Sequence, residues 1–330
     1  MPTYKHLLFL ILLLISSFVH AKATSFGDSA PINDFIRNMV KEHNFDASEL
    51  KNLFAQTRRH QSILDAIARP AESKPWREYR PIFLTRDRLM GGLKFWRKNE
   101  TILRRAYETF GIPEEIIVAI IGVETRYGKH AGRYPVIDAL ATLAFAYPPR
   151  SPFFRKELKE YLLMAREEGI DPLLQKGSYA GAMGMPQFMP SSFRRYAVDF
   201  SGDGQRDLWR NPADVIGSVA NYFKKHHWKK GEPVAYKVRV KGTAYKKLLD
   251  STQRHRIKPH LTQQQLRAHG VSLPKGLPAE MKGSLIELDG KYGPEQWVVW
   301  HNFYVISRYN HSALYSMSVF QLSQQLRENR

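Results

Sequence analysis

The sequence of 330 residues contains no cysteine. Disulfide bonds are therefore excluded, and so is attachment to a membrane through an acylated cysteine. The folded state must depend on a hydrophobic core, which a chain of this length can readily form. The sequence also has no internal repeat and no low-complexity segment, so a repeat architecture is not expected.

The sequence has little that could span a membrane. The apolar run near the N-terminus, residues 7–18, is shorter than the roughly 20 residues that a membrane-spanning helix needs. Lys5 precedes this run, and residues 19–21 (VHA) fit a signal peptidase site. We therefore predict that residues 1–21 are a signal peptide and that the protein is exported. An uncleaved N-terminal anchor is the alternative interpretation.

Acidic residues are scarce relative to basic ones. The chain has 31 Asp and Glu against 50 Lys and Arg, a net charge of +19. Such an excess indicates an anionic partner, either nucleic acid or an acidic polymer of the cell envelope. The basic residues are spread along the chain and no nucleic-acid-binding motif is visible, so nucleic acid is the less favoured partner.

The first two compositional zones have helical patterns of apolar residues. In the first, residues 22–111, the three prolines of residues 70–83 predict an ordered loop or a linker. A long helix is then predicted to begin at Thr85 and to end at Gly111. The second zone, residues 112–230, is predicted to contain several helices packed on one another.

The third zone, residues 231–306, changes to the patterns of β-strands. Four apolar runs separated by glycine and proline predict strands at residues 234–240, 284–288, 296–300 and 303–306. Residues 307–330 return to a helical pattern, with Asn310 as the predicted cap. The sequence thus predicts a mainly α, α+β chain in which a helical domain and a helical core precede a small β-containing domain and a final helix.

The helical core contains a glutamate in an unusual setting. Apolar residues 116–123 run directly into Glu124, although most glutamates are solvated surface residues and burial of a carboxylate is costly. Because apolar residues occupy almost every angle of this helix, we expect Glu124 to be desolvated. Desolvation raises the pKa of a carboxyl group, which is what a general acid acting on a glycosidic oxygen requires.

A loop rich in glycine, methionine and serine follows at residues 177–193. It can be interpreted as a structural loop with methionines as gap-fillers. It can also be interpreted as the wall of a cleft, in which glycines allow close approach of a ligand while Ser178 and Gln187 offer polar contacts.

Together these segments resemble the lytic murein transglycosylases of the membrane-bound B type. The resemblance rests on IGVETRYG, GSYAGAMGMPQFMPSSFRRYAVDFSGDG and NYF, with KPWREYR upstream and NFYVISRYNHSALY near the C-terminus. It covers most of the chain and is weakest at residues 242–283. It implies a lysozyme-like helical core, an additional helical domain and a small β domain, acting on the glycan strands of peptidoglycan.

The resemblance also implies roles for individual residues. Glu124 matches the sole catalytic acid and base of the family. Seven residues match or are candidates for positions around the bound sugar: Tyr79, Ser178, Gln187, Tyr222, Tyr309, Asn310 and Tyr315. Tyr309 and Asn310 can also be interpreted simply as the residues that begin and cap the final helix. Members are often lipoproteins, and the absence of cysteine here favours a periplasmic form that is soluble or loosely associated with the envelope, with other cell-wall enzymes as candidate partners.

Residues 199–214 contain a loop like that of an EF-hand. Asp199, Ser201, Asp203, Gln205 and Asp207 stand at positions 1, 3, 5, 7 and 9 of such a loop. Position 12 is occupied by Arg210, which cannot bind calcium. The resemblance implies a longer loop in which Asp214 supplies the last carboxylate, so structural calcium is expected. A plain turn without metal is the alternative.

The number of carboxylates bears on the mechanism. Hydrolases of both common geometries need a second acid opposite the first, and the motifs offer only Glu124, because we interpret Asp138 as a helix cap. The resemblance therefore implies substrate-assisted chemistry that ends in a 1,6-anhydro sugar. A noncatalytic protein that binds or scaffolds the cell wall is the main alternative, and a secreted nucleic-acid binder rests on charge alone.

Overall fold

The computed structural model describes residues 24–26, 29–68, 74–249 and 257–330. The predicted signal peptide lies outside them. The described residues form fourteen α-helices: α1 (Ala30–His43), α2 (Ala47–Gln56), α3 (Gln61–Ile67), α4 (Trp76–Phe83), α5 (Arg86–Lys98), α6 (Glu100–Phe110), α7 (Glu114–Thr125), α8 (Val136–Ala146), α9 (Ser151–Glu167), α10 (Pro190–Tyr196), α11 (Pro212–Lys225), α12 (Gln263–Ala268), α13 (His301–Tyr309) and α14 (Ala313–Glu328).

The described residues also form seven short β-strands: β1 (Thr24–Ser25), β2 (Arg58–Arg59), β3 (Tyr134–Pro135), β4 (Lys176–Gly177), β5 (Ala235–Lys237), β6 (Ser284–Gly290) and β7 (Gly293–Val299). Strands β1 and β2 pair, as do β3 and β4, and the three others form a sheet of order β5-β7-β6. All of these pairs are antiparallel.

Helix α7 lies at the centre of the molecule. Every residue from 116 to 123 is buried, as the apolar sequence predicts. The helix contacts α5, α6, α11 and α14, and α8 packs on α9 nearby. A helix that is apolar on all sides can be stable only when other helices cover all of its faces, which explains this central position.

Buried side chains form one continuous cluster that runs from Ile32 to Leu326. The N-terminal helices, the central helices and the final helix therefore share a core. A second, smaller cluster belongs to the β-containing region and includes Leu266, Leu285 and Trp300.

Residues 76–83 form helix α4, so the prediction of a loop or linker was wrong for them, and residues 70–73 lie outside the described residues. Pro75 stands just before the first turn, where a missing N–H costs nothing, whereas Pro81 lies inside the helix. Trp76 and Tyr79 lie one turn apart and are both 1% exposed. Their burial against neighbouring elements outweighs the loss of one backbone hydrogen bond at Pro81.

The predicted long helix from Thr85 to Gly111 is in fact two helices, α5 and α6. Asn99 separates them, with φ of −117°. Its side-chain amide donates to the Phe95 carbonyl oxygen at 2.8 Å, so the side chain competes with the helical backbone for this acceptor. Gly111 ends the second helix in the left-handed conformation, as predicted.

Residues 303–306 lie in helix α13, which corrects the prediction of a fourth strand. Phe303, Val305 and Ile306 are all fully buried, so the run is apolar because it is core, and such short runs do not distinguish a helix from a strand. Asn310 ends α13, and Ser312 caps α14 by accepting from the Tyr315 backbone N–H. The prediction that Asn310 caps the final helix was therefore also wrong.

The part of the chain that the structure describes contains no helix that is both long enough and apolar enough to cross a membrane.

Candidate active site

Glu124 stands in the last turn of α7, where the next residue, Thr125, contacts the glycine-rich loop interpreted above as the wall of a cleft. The side chain is half-buried, so it is less desolvated than the sequence suggested and remains accessible. Three residues in the left-handed conformation follow and end the helix: Arg126, Tyr127 and Gly128, with φ of 50°, 61° and 86°. Two consecutive non-glycine residues with positive φ are uncommon and need support from their surroundings.

Tyr127 provides part of that support. Its ring lies in a slot between helices, where a Cβ atom added to Gly92 or to Gly122 would lie 2.4 Å from its hydroxyl oxygen. The hydroxyl group donates to the Arg88 carbonyl oxygen at 2.9 Å. Arg88 is itself buried, and its Nε donates to the Gly122 carbonyl oxygen at 2.9 Å. These contacts fix the backbone on both sides of Glu124.

Tyr315 contacts Glu124 directly. Its hydroxyl group donates to Glu124 Oε1 at 2.5 Å, at the short end of the range for a hydroxyl bonded to a carboxylate. Burial raises the pKa of Tyr315 well above its usual value of 10, and the neighbouring charge of Glu124 raises the pKa further. Tyr315 therefore stays protonated and acts as a donor.

Tyr309 and Tyr222 lie together beside this pair, with ring centroids 4.8 Å apart. The Tyr309 hydroxyl group donates to the Pro186 carbonyl oxygen at 2.6 Å, and that of Tyr222 donates to the Arg308 carbonyl oxygen at 2.6 Å. Burial raises the pKa of Tyr309 well above its usual value, and the Glu124 charge contributes next. These tyrosines join α11 and α13 to the glycine-rich loop.

Two side chains of the glycine-rich loop, Ser178 and Gln187, offer complementary polar groups: a donor and an acceptor. Ser178 Oγ accepts from the backbone N–H groups of Ala180 and Ala182, at 3.2 and 3.0 Å. Its own hydrogen has no acceptor among the described residues, so it can donate to a ligand. Gln187 Nε2 donates to the carbonyl oxygens of Ala131 and Gly184, at 3.1 and 2.9 Å, which directs its Oε1 atom elsewhere as an acceptor.

Asn310 and Tyr79 complete the predicted set. Asn310 is half-buried at the end of α13, and its side-chain amide has no partner among the described residues. Tyr79 is 1% exposed, packs on Phe83 and interacts electrostatically with Tyr315. Tyr79, Tyr222 and Tyr315 are thus buried beneath the surface, whereas Ser178, Gln187, Tyr309 and Asn310 are half-buried.

The three buried carboxylates of the described residues accept hydrogen bonds from other partners. Asp138 accepts from the Arg58 backbone N–H at 2.9 Å and pairs with His60 Nε2 at 2.7 Å. It makes no capping hydrogen bond, so its interpretation as a helix cap was wrong. Glu157, which the sequence did not single out, accepts from the backbone N–H and hydroxyl of Ser191 at the start of α10, and burial raises its pKa.

The third buried carboxylate, Asp214, belongs to the EF-hand-like loop. It accepts from the backbone N–H groups of Phe200, Ser201 and Asp207, each at 2.9 Å. Asp199 accepts from four groups in the loop, including Gly204, whose backbone hydrogen bond is the first cause that lowers the pKa of Asp199. The Asp214 carboxylate, through its three bonds to residues 200, 201 and 207, thus holds the two ends of the loop together.

The loop brings three carboxylates together. Oxygen atoms of Asp199, Asp203 and Asp214 all lie within 4.8 Å of one another. Ser201 and Gln205 belong to the same turn: the Ser201 hydroxyl donates to Asp199, and the Gln205 N–H donates to Asp203. Carboxylates this close repel one another, and a cation with a preference for oxygen ligands, such as calcium, would offset the repulsion. The donor set therefore fits calcium.

Comparisons with known proteins identify the family of the chain. Residues 27–324 match a family described as Transglycosylase SLT domain. The chain is 45% identical over 309 residues to membrane-bound lytic murein transglycosylase B of Escherichia coli (strain K12). The aligned region covers 91% of this chain and 83% of that relative.

Two solved structures are also similar. The soluble lytic transglycosylase SltB1 from Pseudomonas aeruginosa superposes with a TM-score of 0.86 at 49% identity, covering 91% of this chain and 99% of that chain. The Escherichia coli lytic transglycosylase Slt35, solved in complex with calcium, superposes with a TM-score of 0.84 at 43% identity, covering 93% and 96%. These similarities confirm the predicted lysozyme-like, mainly helical fold.

Proposed function

Because the chain belongs to the transglycosylase SLT domain family and is a lytic murein transglycosylase, we propose that it cleaves the β-1,4 bond between N-acetylmuramic acid and N-acetylglucosamine without adding water. The products carry 1,6-anhydromuramic acid ends, so the reaction is that of a carbon-oxygen lyase. The motifs resemble those of this family, and the hydrogen bond between Tyr315 and Glu124 supports a catalytic role for Glu124.

Glu124 acts twice in the proposed mechanism. It first donates a proton to the glycosidic oxygen as the bond to the anomeric carbon breaks, and the acetamido oxygen of the muramic acid attacks that carbon. Glu124, now ionised, then removes the proton of the C6 hydroxyl group, and the C6 oxygen displaces the acetamido oxygen. One carboxyl group is thereby returned to its starting state, and no water is consumed.

The single observation that carries this proposal is that the three buried carboxylates of the described residues are each occupied by hydrogen bonds to other partners. Asp138 accepts from the Arg58 N–H, Glu157 from the Ser191 N–H and Asp214 from the Phe200 N–H. A hydrolase would need a second carboxylate opposite Glu124, free to act as a nucleophile or as a base for water.

Three polar side chains suit the acetamido group and its sugar. An acetamido group has one N–H donor and one carbonyl acceptor. Gln187 Oε1 can accept from the N–H, and Ser178 Oγ or the Asn310 amide can donate to the carbonyl oxygen. Tyr309 forms part of the wall, and Tyr79, Tyr222 and Tyr315 form the layer beneath it.

The loop at residues 199–214 is proposed to hold a calcium ion through Asp199, Ser201, Asp203, Gln205 and Asp214. The ion supplies positive charge that offsets the repulsion between the carboxylates and stabilises the loop. Catalysis does not use it directly. The calcium complex of Slt35 supports this assignment.

The proposed location follows from the substrate. Export through the predicted signal peptide would bring the protein to the periplasm, where peptidoglycan glycan strands are its partner. Its net charge of +19 suits an acidic polymer. Other cell-wall synthesis or remodelling enzymes are further candidate partners.

Replacement of Glu124 by glutamine tests the proposal. Glu124→Gln removes the proton donor and keeps the size of the side chain, so we expect turnover of purified peptidoglycan to fall by roughly 100-fold or more, as is typical of a lost general acid. Binding to insoluble peptidoglycan and the melting temperature should change little.

Glu115→Gln is the matched control, because Glu115 is also half-buried and lies in the same helix. It should retain activity. Full turnover by the Glu124→Gln protein would exclude this residue from the reaction, and a wild-type protein that binds peptidoglycan but releases nothing would favour the noncatalytic alternative.

A further inference from the structure

We propose that Thr125 is a positioning residue for the reaction, because its hydroxyl group ties the helix that carries Glu124 to the wall of the cleft. The inference rests on the proposed role of Glu124. Thr125 follows Glu124 directly and is fully buried, so it acts through its neighbours and does not contact the substrate.

The Thr125 hydroxyl group joins two segments. It donates to the Met185 carbonyl oxygen at 2.9 Å and accepts from the Gly128 backbone N–H at 3.0 Å. A threonine in a helix commonly bonds the carbonyl oxygen four residues earlier, but here the distance to that atom, in Ile121, is longer, at 3.3 Å. The shorter bond reaches a residue 60 positions away in the sequence.

Met185 is held from several sides. Its backbone N–H donates to the Leu208 carbonyl oxygen at 2.8 Å. Its side chain packs against Gly128, where an added Cβ atom would lie 3.2 Å from the Met185 sulfur atom. The carbonyl oxygen of the next residue, Pro186, accepts from Tyr309. Thr125 is therefore one of a small number of contacts that place the wall relative to the catalytic helix.

The wall residue affected most is Gln187, two positions after Met185. Gln187 has φ of 52°, which is a strained conformation for a non-glycine residue and depends on its surroundings. When the Thr125 hydroxyl is lost, the Met185 carbonyl oxygen and the Gly128 N–H both lose a buried partner. The segment between Glu124 and Gly128 and the segment between Met185 and Gln187 can then separate, and the acid loses its alignment with the bound sugar.

The test compares variants of Thr125 that differ in the hydroxyl group and in volume. Thr125→Val keeps the shape and removes the hydroxyl, Thr125→Ala removes both the hydroxyl and the methyl group, and Thr125→Ser keeps the hydroxyl. Misalignment lowers turnover, so we expect kcat on purified peptidoglycan to fall by about 10- to 100-fold in the Val and Ala proteins. In the Ser protein kcat should stay within about threefold of wild type, since the hydroxyl-mediated alignment remains.

Thr142→Val is the matched control for the loss of a buried hydroxyl. Thr142 is fully buried in α8 and accepts from the His60 backbone N–H at 3.2 Å. Its replacement should lower the melting temperature and leave kcat unchanged. Binding to insoluble peptidoglycan is measured in the Glu124→Gln background, where adding Thr125→Val should change the dissociation constant little.

The outcomes separate a positioning role from a structural one. The proposal is supported when kcat follows the presence of the hydroxyl group in the Ser, Val and Ala proteins. It is overturned when kcat follows the melting temperature, or when the Val protein turns over like wild type. Failure of the proposed function would be seen separately, as full activity of the Glu124→Gln protein.

Discussion

Tyr315 and Glu124 lie 191 positions apart in the sequence, yet they form a hydrogen bond of 2.5 Å. Because Tyr315 stays protonated in its buried position, its hydroxyl group can hold the carboxylate in one orientation whenever Glu124 is ionised. The second half of the proposed reaction needs that ionised form as a base. A donor at this place therefore supports both the geometry and the charge of the catalytic group.

Tyr315→Phe removes this donor and keeps the ring. We expect turnover to fall by about tenfold, as for the loss of one hydrogen bond to a charged group. A hydrogen bond donated to a carboxylate favours its ionised form, so without the bond Glu124 should hold its proton to higher pH. The alkaline limb of the pH–rate profile should therefore move upwards.

Tyr161→Phe is the control for this change, because Tyr161 is also fully buried and its hydroxyl group donates to a single acceptor, the Pro172 carbonyl oxygen at 2.8 Å. Its pH–rate profile should match that of wild type. An unchanged profile in the Tyr315→Phe protein would show that Tyr315 has only a structural role.

At the residue scale, the sequence predicts Glu124 for a physical reason and Tyr315 only through resemblance. A carboxylate at the end of a fully apolar helix is unusual enough to attract attention without a structure. A tyrosine in a helix such as α14 does not attract attention in the same way, because the apolar face of a helix commonly contains tyrosines. The role of Thr125 was not predicted, since its partner Met185 lies on a distant segment.

The EF-hand-like loop is the element whose assignment is most open to measurement. Its three carboxylates converge, and calcium that binds only the folded state must stabilise it. We expect the melting temperature to rise with calcium, by an amount equivalent to about 2.7 kcal/mol at a concentration 100 times the dissociation constant. Magnesium should have a smaller effect, because it needs a tighter octahedral site.

Asp203→Asn is the informative variant, because Asp203 is exposed and the substitution keeps an oxygen that can accept from the Gln205 N–H. It should leave the melting temperature in chelator nearly unchanged and reduce the gain from calcium. Asp171→Asn, in a turn outside the loop, should keep the full gain. A melting temperature that does not respond to millimolar calcium would mean that residues 199–214 form a plain turn.

At the element scale, most helices of the core were predicted from the sequence. The predictions were wrong where the local preference of the residues for a helix, strand or loop disagrees with how the segment packs. Pro81 argues against a helix, but the buried face of α4 decides the outcome. The apolar run at residues 303–306 suits either a strand or a helix, and only its neighbours decide between them. Loop residues with clear turn chemistry, such as Gly111, were predicted correctly because their backbone conformation is local.

At the scale of the whole molecule, the cleft depends on one continuous core. Glu124 comes from α7, the wall from the loop before α10, and Tyr315 from α14, and buried side chains connect all three. The sequence predicts two separate helical domains, residues 22–111 and 112–230. Residues of both contribute to this one core, and the division into domains stays a prediction. No local pattern in the sequence could give the distances between these segments, because they are set by packing among helices that are far apart in the chain.

The central claim is that one carboxyl group, without a second, completes the reaction by using a group of the sugar in place of water. A hydroxyl group already held beside the anomeric carbon has an advantage in proximity over solvent. Mass spectrometry of the muropeptides that the wild-type protein releases from purified peptidoglycan tests this claim most directly. We predict products that lack one water relative to hydrolysed muropeptides and that resist borohydride reduction, because they have no free reducing end. Hydrated products that borohydride reduces would contradict the account and would require a second catalytic acid.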